Sequence, residues 1–254
     1  MILRVLSIKL ILLLLLTGCS LVINEKDHLR YGNPSQANTE DKNNYLMNKP
    51  QYALSYNCRK GIANWVSWQL DSSWLGDTKR ANDFRPDQDL PTDCEPVLPS
   101  DYRGSGYDRG HLTPSGDRTN NPEDNSATFL MTNMIPQSPA NNREVWRELE
   151  EYSRDLVDQG KELYIVAGSD GQRKKLKRKI TVPVFTWKVI LVLSNSGKIE
   201  DAIAVRIPNA ERVANKDWRD YLVSIDEIEK KTGYNFFSLV EIAQQKKLEA
   251  KLYR

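Results

Sequence analysis

The sequence holds two histidines, His28 and His111, and the second lies in its densest concentration of chemically active side chains, GSGYDRGHLTPSGDR at residues 104–118. Imidazole is the side chain whose ordinary pKa falls near neutrality, so His111 is the natural site for a proton transfer. Arg109 stands two residues before it and Asp108 three, a cation and a carboxylate able to bias or orient the ring. Gly104, Gly106 and Gly110 raise the idea of a dinucleotide loop, which fails for want of a preceding strand and a following helix. A lone histidine is more often structural than catalytic, and this segment alone names no reaction.

A second segment, FLMTNMIPQSPANNREVWRELEEYSR at residues 129–154, carries Asn133, Asn142, Glu150 and Arg154. Asn142 suits a helix N-cap, and Glu150 with Arg154 suits a solvated i,i+4 ion pair. Asn142 and Glu150 are eight residues apart, about 80° around a helix of 3.6 residues per turn, so both can face one cleft. Arg80 and Arg85 flank a loop in which Asp83 and Asp87 are available partners.

Asp108-Arg109-Gly110-His111 resembles the signature of the DNA/RNA non-specific endonucleases with a ββα-metal (His-Me) finger, and residues 129–154 resemble that family's second block. The stretches YALSYN, WVSWQL, NDFRPD, ELYIVAG and TGYNFFS are similar to the cyanobacterial sugar-non-specific branch, over about residues 50–240. Gly116 stands where the signature usually has alanine. The resemblance implies an endonuclease cutting DNA and RNA with little sequence or sugar preference. It makes His111 the general base and Asn142 the protein ligand of one Mg2+ or Mn2+. It places Glu150 at the site through water around the metal, together with Arg154, and has Asn133 support the histidine geometry or the site. Arg80 and Arg109 match the arginines that hold phosphate, Arg154 also touches substrate, and Asp108 orients its neighbours.

Elementary chemistry supports the same roles. A neutral imidazole can take a proton from water, worth about 10²–10⁴ in rate. A hard cation can neutralise a departing 3′-oxygen, and magnesium keeps several waters, so one amide oxygen plus phosphate is a sufficient anchor. Arginine's planar fork suits phosphate. In-line attack with departure of the 3′-oxygen leaves a 5′-phosphate. The alternatives are a catalytically silent DNA-binding lipoprotein for capture or uptake, and the same site acting on a narrower phosphodiester substrate.

The elements that must position these residues are legible in part. MILRVLSIKLILLLLLTGCS carries cations, an apolar run and small residues in the order of a signal peptide. Its run from Leu10 to Leu16 is too short to span a bilayer. Leu16-Thr17-Gly18-Cys19 resembles a bacterial lipobox, implying cleavage after residue 18, lipidation at Cys19 and an exported, envelope-anchored protein. Ser20 favours the outer membrane where one exists. Residues 19–48 read as a polar tether containing an inert His28, and residues 49–254 as the nuclease domain. Cys58 and Cys94 then suit a disulfide in an oxidising compartment, with two free thiols as the other possibility.

Strands are expected at Tyr52–Tyr56, Ile62–Leu70, Thr128–Ile135, Leu163–Ala167, Val182–Leu193 and Ala202–Ile207, from their β-branched and aromatic content. Helices are expected at Asn141–Val157, Ile225–Lys231 and Leu239–Leu252. With no regular βαβ repeat, this order predicts a single α+β domain with a mixed or antiparallel sheet and a ββα-metal finger. Charge excludes a globally basic binder: Lys and Arg total 36 against 34 acids, and beyond residue 19 the two sides balance. The run Arg173–Lys179 has six cations in seven residues, a solvated face or a phosphate-backbone track. An inhibitor protein is a possible further partner.

Overall fold

A computed structural model of the chain describes residues 27–253. The expected signal segment and Cys19 lie outside the described residues. The strands are β1 (Tyr45–Asn48), β2 (Ala53–Asn57), β3 (Ile62–Leu70), β4 (Asp108–His111) and β5 (Met134–Gln137), then β6 (Glu162–Asp170), β7 (Lys174–Leu176), β8 (Ile180–Val182), β9 (Phe185–Leu193) and β10 (Ile199–Pro208). The helices are α1 (Pro122–Ala127), α2 (Trp146–Asp158), α3 (Ile225–Thr232) and α4 (Ile242–Glu249). One antiparallel sheet runs in the order β1-β2-β3-β6-β9-β10. The fold is a single α+β domain.

The long strands are apolar at almost every position because both faces of the sheet are covered. Side chains alternate between faces with a period of two. On one face Val66, Trp68, Ile165, Ile190 and Val205 pack with Trp146 and Leu149 of α2. On the other, Tyr164, Val166, Val189, Leu191 and Ala204 pack against Ile225 and Ile228 of α3 and Leu248 of α4. The site is built on the first face. Strands β4 and β5 form a separate antiparallel ribbon with His111 opposite Met134 and Asp108 opposite Gln137. The ribbon and α2 together make a ββα unit.

The structure corrects several expectations. Residues 27–48 are folded onto the sheet, so a tether over 19–48 does not describe them. His28 is buried there, its Nε2 3.0 Å from the Pro50 carbonyl and its Nδ1 accepting from the Gln69 amide. Trp65 Nε1 donates to Ser35 Oγ at 2.8 Å. The segment is polar because its Asn and Ser side chains satisfy turn backbone, a composition that imitates a linker. Thr128–Ile135 is not one strand: a 3-10 turn at Met131–Asn133 precedes β5. The apolar residues here record burial in a connection. The helix expected at Asn141–Val157 opens with a π-helical turn, Asn141–Val145, and continues as α2. Cys58 and Cys94 are joined in a disulfide with Cα atoms 5.2 Å apart, tying the loop before β4 to the end of β2.

Candidate active site

Arg80, Arg109, His111, Asn142, Glu150 and Arg154 line one solvent-open cleft of about 360 Å³. Six of the expected site residues are thereby brought together from a loop, β4 and the π–α2 helix. Asp108 and Asn133 stand behind them.

His111 is buried, with Phe84 and Phe129 set edge-on at 5.6 and 4.8 Å between ring centroids. The same rings carry the arginines: the Arg109 guanidinium lies 3.9 Å from the Phe84 centroid and that of Arg80 4.8 Å from the Phe129 centroid. Burial, aided by the charges of Arg80 and Arg109, pushes the imidazole down to about 3. The ring is therefore neutral at physiological pH. Its Nε2 is buried and meets no hydrogen-bond partner among the described residues, which leaves Nδ1 as the nitrogen able to meet water in the cleft. Asn133 acts from below: its Oδ1 accepts from the Thr113 amide at 2.9 Å and its Nδ2 donates to the Thr113 and Thr128 carbonyls. Those bonds fix the backbone that leaves His111.

Asn142 Nδ2 donates to Asp108 Oδ2 at 3.0 Å. Burial acts to raise the Asp108 carboxyl, but the Arg143 fork and Asn142 prevail and hold it below its usual value. An ionised carboxylate only accepts, so the amide nitrogen must face it. The amide oxygen Oδ1 is thus released, and no described group donates to it. A hard oxygen donor of this kind fits Mg2+ or Mn2+. A second set of carboxylate oxygens, those of Asp226, Glu229 and Glu249, lies within 4.8 Å of one another. This is also a donor set a divalent cation accepts, but α3 and α4 place it on the far face of the sheet and none of the three lines the cleft.

The arginines divide into two groups. Arg143, Arg147 and Arg154 are each paired, with Asp108, Glu151 and Asp117. Arg80 and Arg109 have no carboxylate at ion-pair distance among the described residues; Arg80 instead donates to Ser115 Oγ at 2.7 Å and Asn82 Oδ1 at 2.9 Å. Arg85 pairs with Asp83, as its spacing allowed. Asp87 instead meets Lys49.

Sequence reasoning missed three supports. Asp117, fully buried, accepts from Trp68 Nε1 and from Arg154 Nη1, both at 2.9 Å. Arg143 grips Asp108 with two bonds of 2.7 and 2.6 Å. Lys188 of β9 is buried on the site face, its Nζ 4.3 Å from the Trp146 ring centroid and 3.9 Å from Glu150 Oε1. Burial lifts the Glu150 carboxyl to about 7 against the pull of Lys188. A single lysine inside an apolar strand, at an inward position of the alternation, was the one available signal.

Two glycines set close approaches. A Cβ on Gly110 would overlap the Gln137 side chain, including its Cβ at 2.9 Å. Gln137 Nε2 donates to Asn141 Oδ1 at 2.7 Å, fixing the π turn that presents Asn142. A Cβ on Gly116 would meet only the Arg154 guanidinium, at 2.9 Å.

Comparison with known proteins agrees with this geometry. The profile of the DNA/RNA non-specific endonucleases matches residues 28–242. The chain is 56% identical over 236 residues to a nuclease of Nostoc sp. strain PCC 7120, covering 89% of this chain and 85% of that protein. It is 32% identical over 222 residues to human mitochondrial endonuclease G, covering 82% of this chain and 72% of that one. A solved structure described as an EndoG/EndoGI complex, concerning EndoG inhibition, superposes with a TM-score of 0.74 at 24% identity, over 84% of this chain and 91% of that chain.

Proposed function

We propose that this chain, which belongs to the DNA/RNA non-specific endonuclease family, hydrolyses the phosphodiester bonds of both DNA and RNA at the cleft between His111 and Asn142. It is an endonuclease with a metal-dependent nuclease fold, and the roles below are the reading its residues support. The observation that carries them is a buried, neutral His111 sharing a cleft with the released amide oxygen of Asn142.

Arg80 and Arg109, having no carboxylate partner, bind the phosphate oxygens, and Arg154 is held at the cleft by Asp117 as a third donor. His111 takes a proton at Nδ1 from the attacking water. As that oxygen bonds phosphorus, the bond to the 3′-oxygen breaks in line, leaving a 5′-phosphate. Asn142 Oδ1 would hold the divalent cation, which supplies charge neutralisation at the departing 3′-oxygen. Glu150, largely buried near Lys188 at the wall of the cleft, accepts hydrogen bonds from water there. Every one of these interactions is with phosphate or water, so neither base nor sugar is read.

We also propose export and lipidation at Cys19, supported by the residue 1–19 pattern and by the Cys58–Cys94 disulfide, which suits an oxidising compartment. An inhibitor protein would occupy the cationic cleft.

The test is plasmid nicking and RNA degradation by residues 20–254 with Mg2+, Mn2+ or chelator. Metal-dependent loss of both substrates with 5′-phosphate ends is expected. Intact substrates under every metal, with salt-sensitive DNA retention, would favour a silent binder.

A further inference from the structure

The Arg173–Lys179 run folds as a hairpin, β7 and β8 with a tight turn at Lys177 and Arg178. Its base is fixed: Leu176, Ile180 and Val182 are buried, and the Thr181 amide donates to the Lys60 carbonyl at 2.7 Å. Two of its cations serve the fold. Lys179 meets Asp101 and Glu95 at 2.9 and 3.1 Å, and Lys175 donates to the Arg59 carbonyl. The other four, Arg173, Lys174, Lys177 and Arg178, are exposed, with no carboxylate at ion-pair distance among the described residues.

Two of these cations, Arg173 and Lys174, continue the catalytic cleft. Arg109 lines both the cleft and a second groove with Arg103 and Tyr107, and Tyr107 also lines a third groove with Arg173 and Lys174. The Lys174 ammonium stands 5.1 Å from the Tyr107 ring centroid. Asp108 borders the second groove, already satisfied by Arg143, and Glu211 in the third is the one opposing charge. From Tyr107, which directly precedes β4, to His111 at its end the extended chain advances four residues, on the order of 13 Å at strand rise. At roughly 3.4 Å of duplex axis per nucleotide of one strand, that is about four nucleotides of a duplex lying along this path.

Resting on the nuclease reading, we propose that this hairpin is a second phosphate-binding element, gripping a polynucleotide backbone about four nucleotides from the scissile phosphate. Its continuity with the cleft favours a polymer threaded through both over an anionic lipid surface.

The experiment measures binding of a labelled 30-base-pair duplex by anisotropy, in chelator, across a salt series. The variant combines Arg173→Gln, Lys174→Gln, Lys177→Gln and Arg178→Gln. A control removes equal charge on the opposite face, with Lys230→Gln, Lys231→Gln, Lys246→Gln and Lys247→Gln. The hairpin variant should bind at least tenfold more weakly, its salt slope falling by about 0.9 for each phosphate no longer neutralised, while cleavage of a tetranucleotide is unchanged. Equal weakening in the control, or unchanged duplex affinity and slope while binding to phosphatidylserine vesicles, measured by co-sedimentation, is lost, would overturn the proposal, as would no change in either. If the wild type cuts nothing but binds DNA through the hairpin, the hairpin assignment stands and the catalytic reading falls.

Discussion

The side chain of Asn142 donates from Nδ2 to Oδ2 of Asp108 at 3.0 Å, across 34 residues of sequence. That bond decides which end of the amide enters the cleft. Asp108 is itself immobilised by both Nε and Nη2 of Arg143, so the orientation is set by an ion pair at the cleft rim. Asp108→Asn presents either a donor or an acceptor and no longer dictates the Asn142 rotamer. The Mg2+ concentration for half-maximal cleavage should rise about 10–100-fold, the usual effect of losing a group that orients a metal ligand. A magnesium titration showing no displacement would remove Asp108 from this role.

The environment of His111 has a consequence for acid stability. In the unfolded chain the imidazole takes a proton below its ordinary value of 6.5, whereas the folded protein keeps it neutral down to about 3. Stability from this group is thus complete above pH 6.5 and is lost as pH falls toward 3. Between pH 7 and pH 4.5 the loss is about 2–3 kcal/mol. Metal-free denaturant melts of wild type and His111→Gln at both values isolate it, because every other titrating group is common to the two. The wild type should lose that much more than the variant; equal losses would show that the ring is accessible to protons.

Gly110 and Gly116 should separate cleanly. Gly110→Ala drives a methyl into the Gln137 side chain as far in as its Cβ, costing about 1–3 kcal/mol by overpacking and disturbing the π turn before Asn142. Gly116→Ala, the residue usual in the family signature, displaces only the end of Arg154 and should leave the melting temperature nearly unchanged. Thermal melts and cleavage rates on the pair check both statements.

The Cys58–Cys94 bridge closes a loop of sequence separation 36 that carries Arg80 and Phe84 to the cleft. Replacing both cysteines by alanine should cost about 4 kcal/mol through restored freedom of the unfolded chain. Reduction should reproduce the double variant. A melt insensitive to reductant would show that the rest of the loop's packing holds it in place.

What the sequence disclosed follows from how local each cause is. Strand β3 and the cores of β6, β9 and β10 declare themselves through β-branched and aromatic runs, whose length reflects burial on both faces. Strand β4 does not: Asp-Arg-Gly-His has little strand preference and becomes extended by pairing with β5. His111 and Asn142 stand out by scarcity and by resemblance. Their supports do not, since Asp117 finds Arg154, and Asp108 finds Arg143, across 37 and 35 residues. Residues 27–48 mislead because partly exposed, hydrogen-bonded asparagines and serines have the composition of a linker.

The central claim is that His111 removes the proton from the attacking water. Its direct measurement is single-turnover cleavage of an end-labelled duplex in saturating Mg2+ by wild type and His111→Ala, with and without added imidazole. The variant should be slower by about 10²–10⁴, and imidazole entering the space between Phe84 and Phe129 should restore part of the rate in proportion to its neutral form. An undiminished rate in His111→Ala would contradict the account and place the general base elsewhere in the cleft.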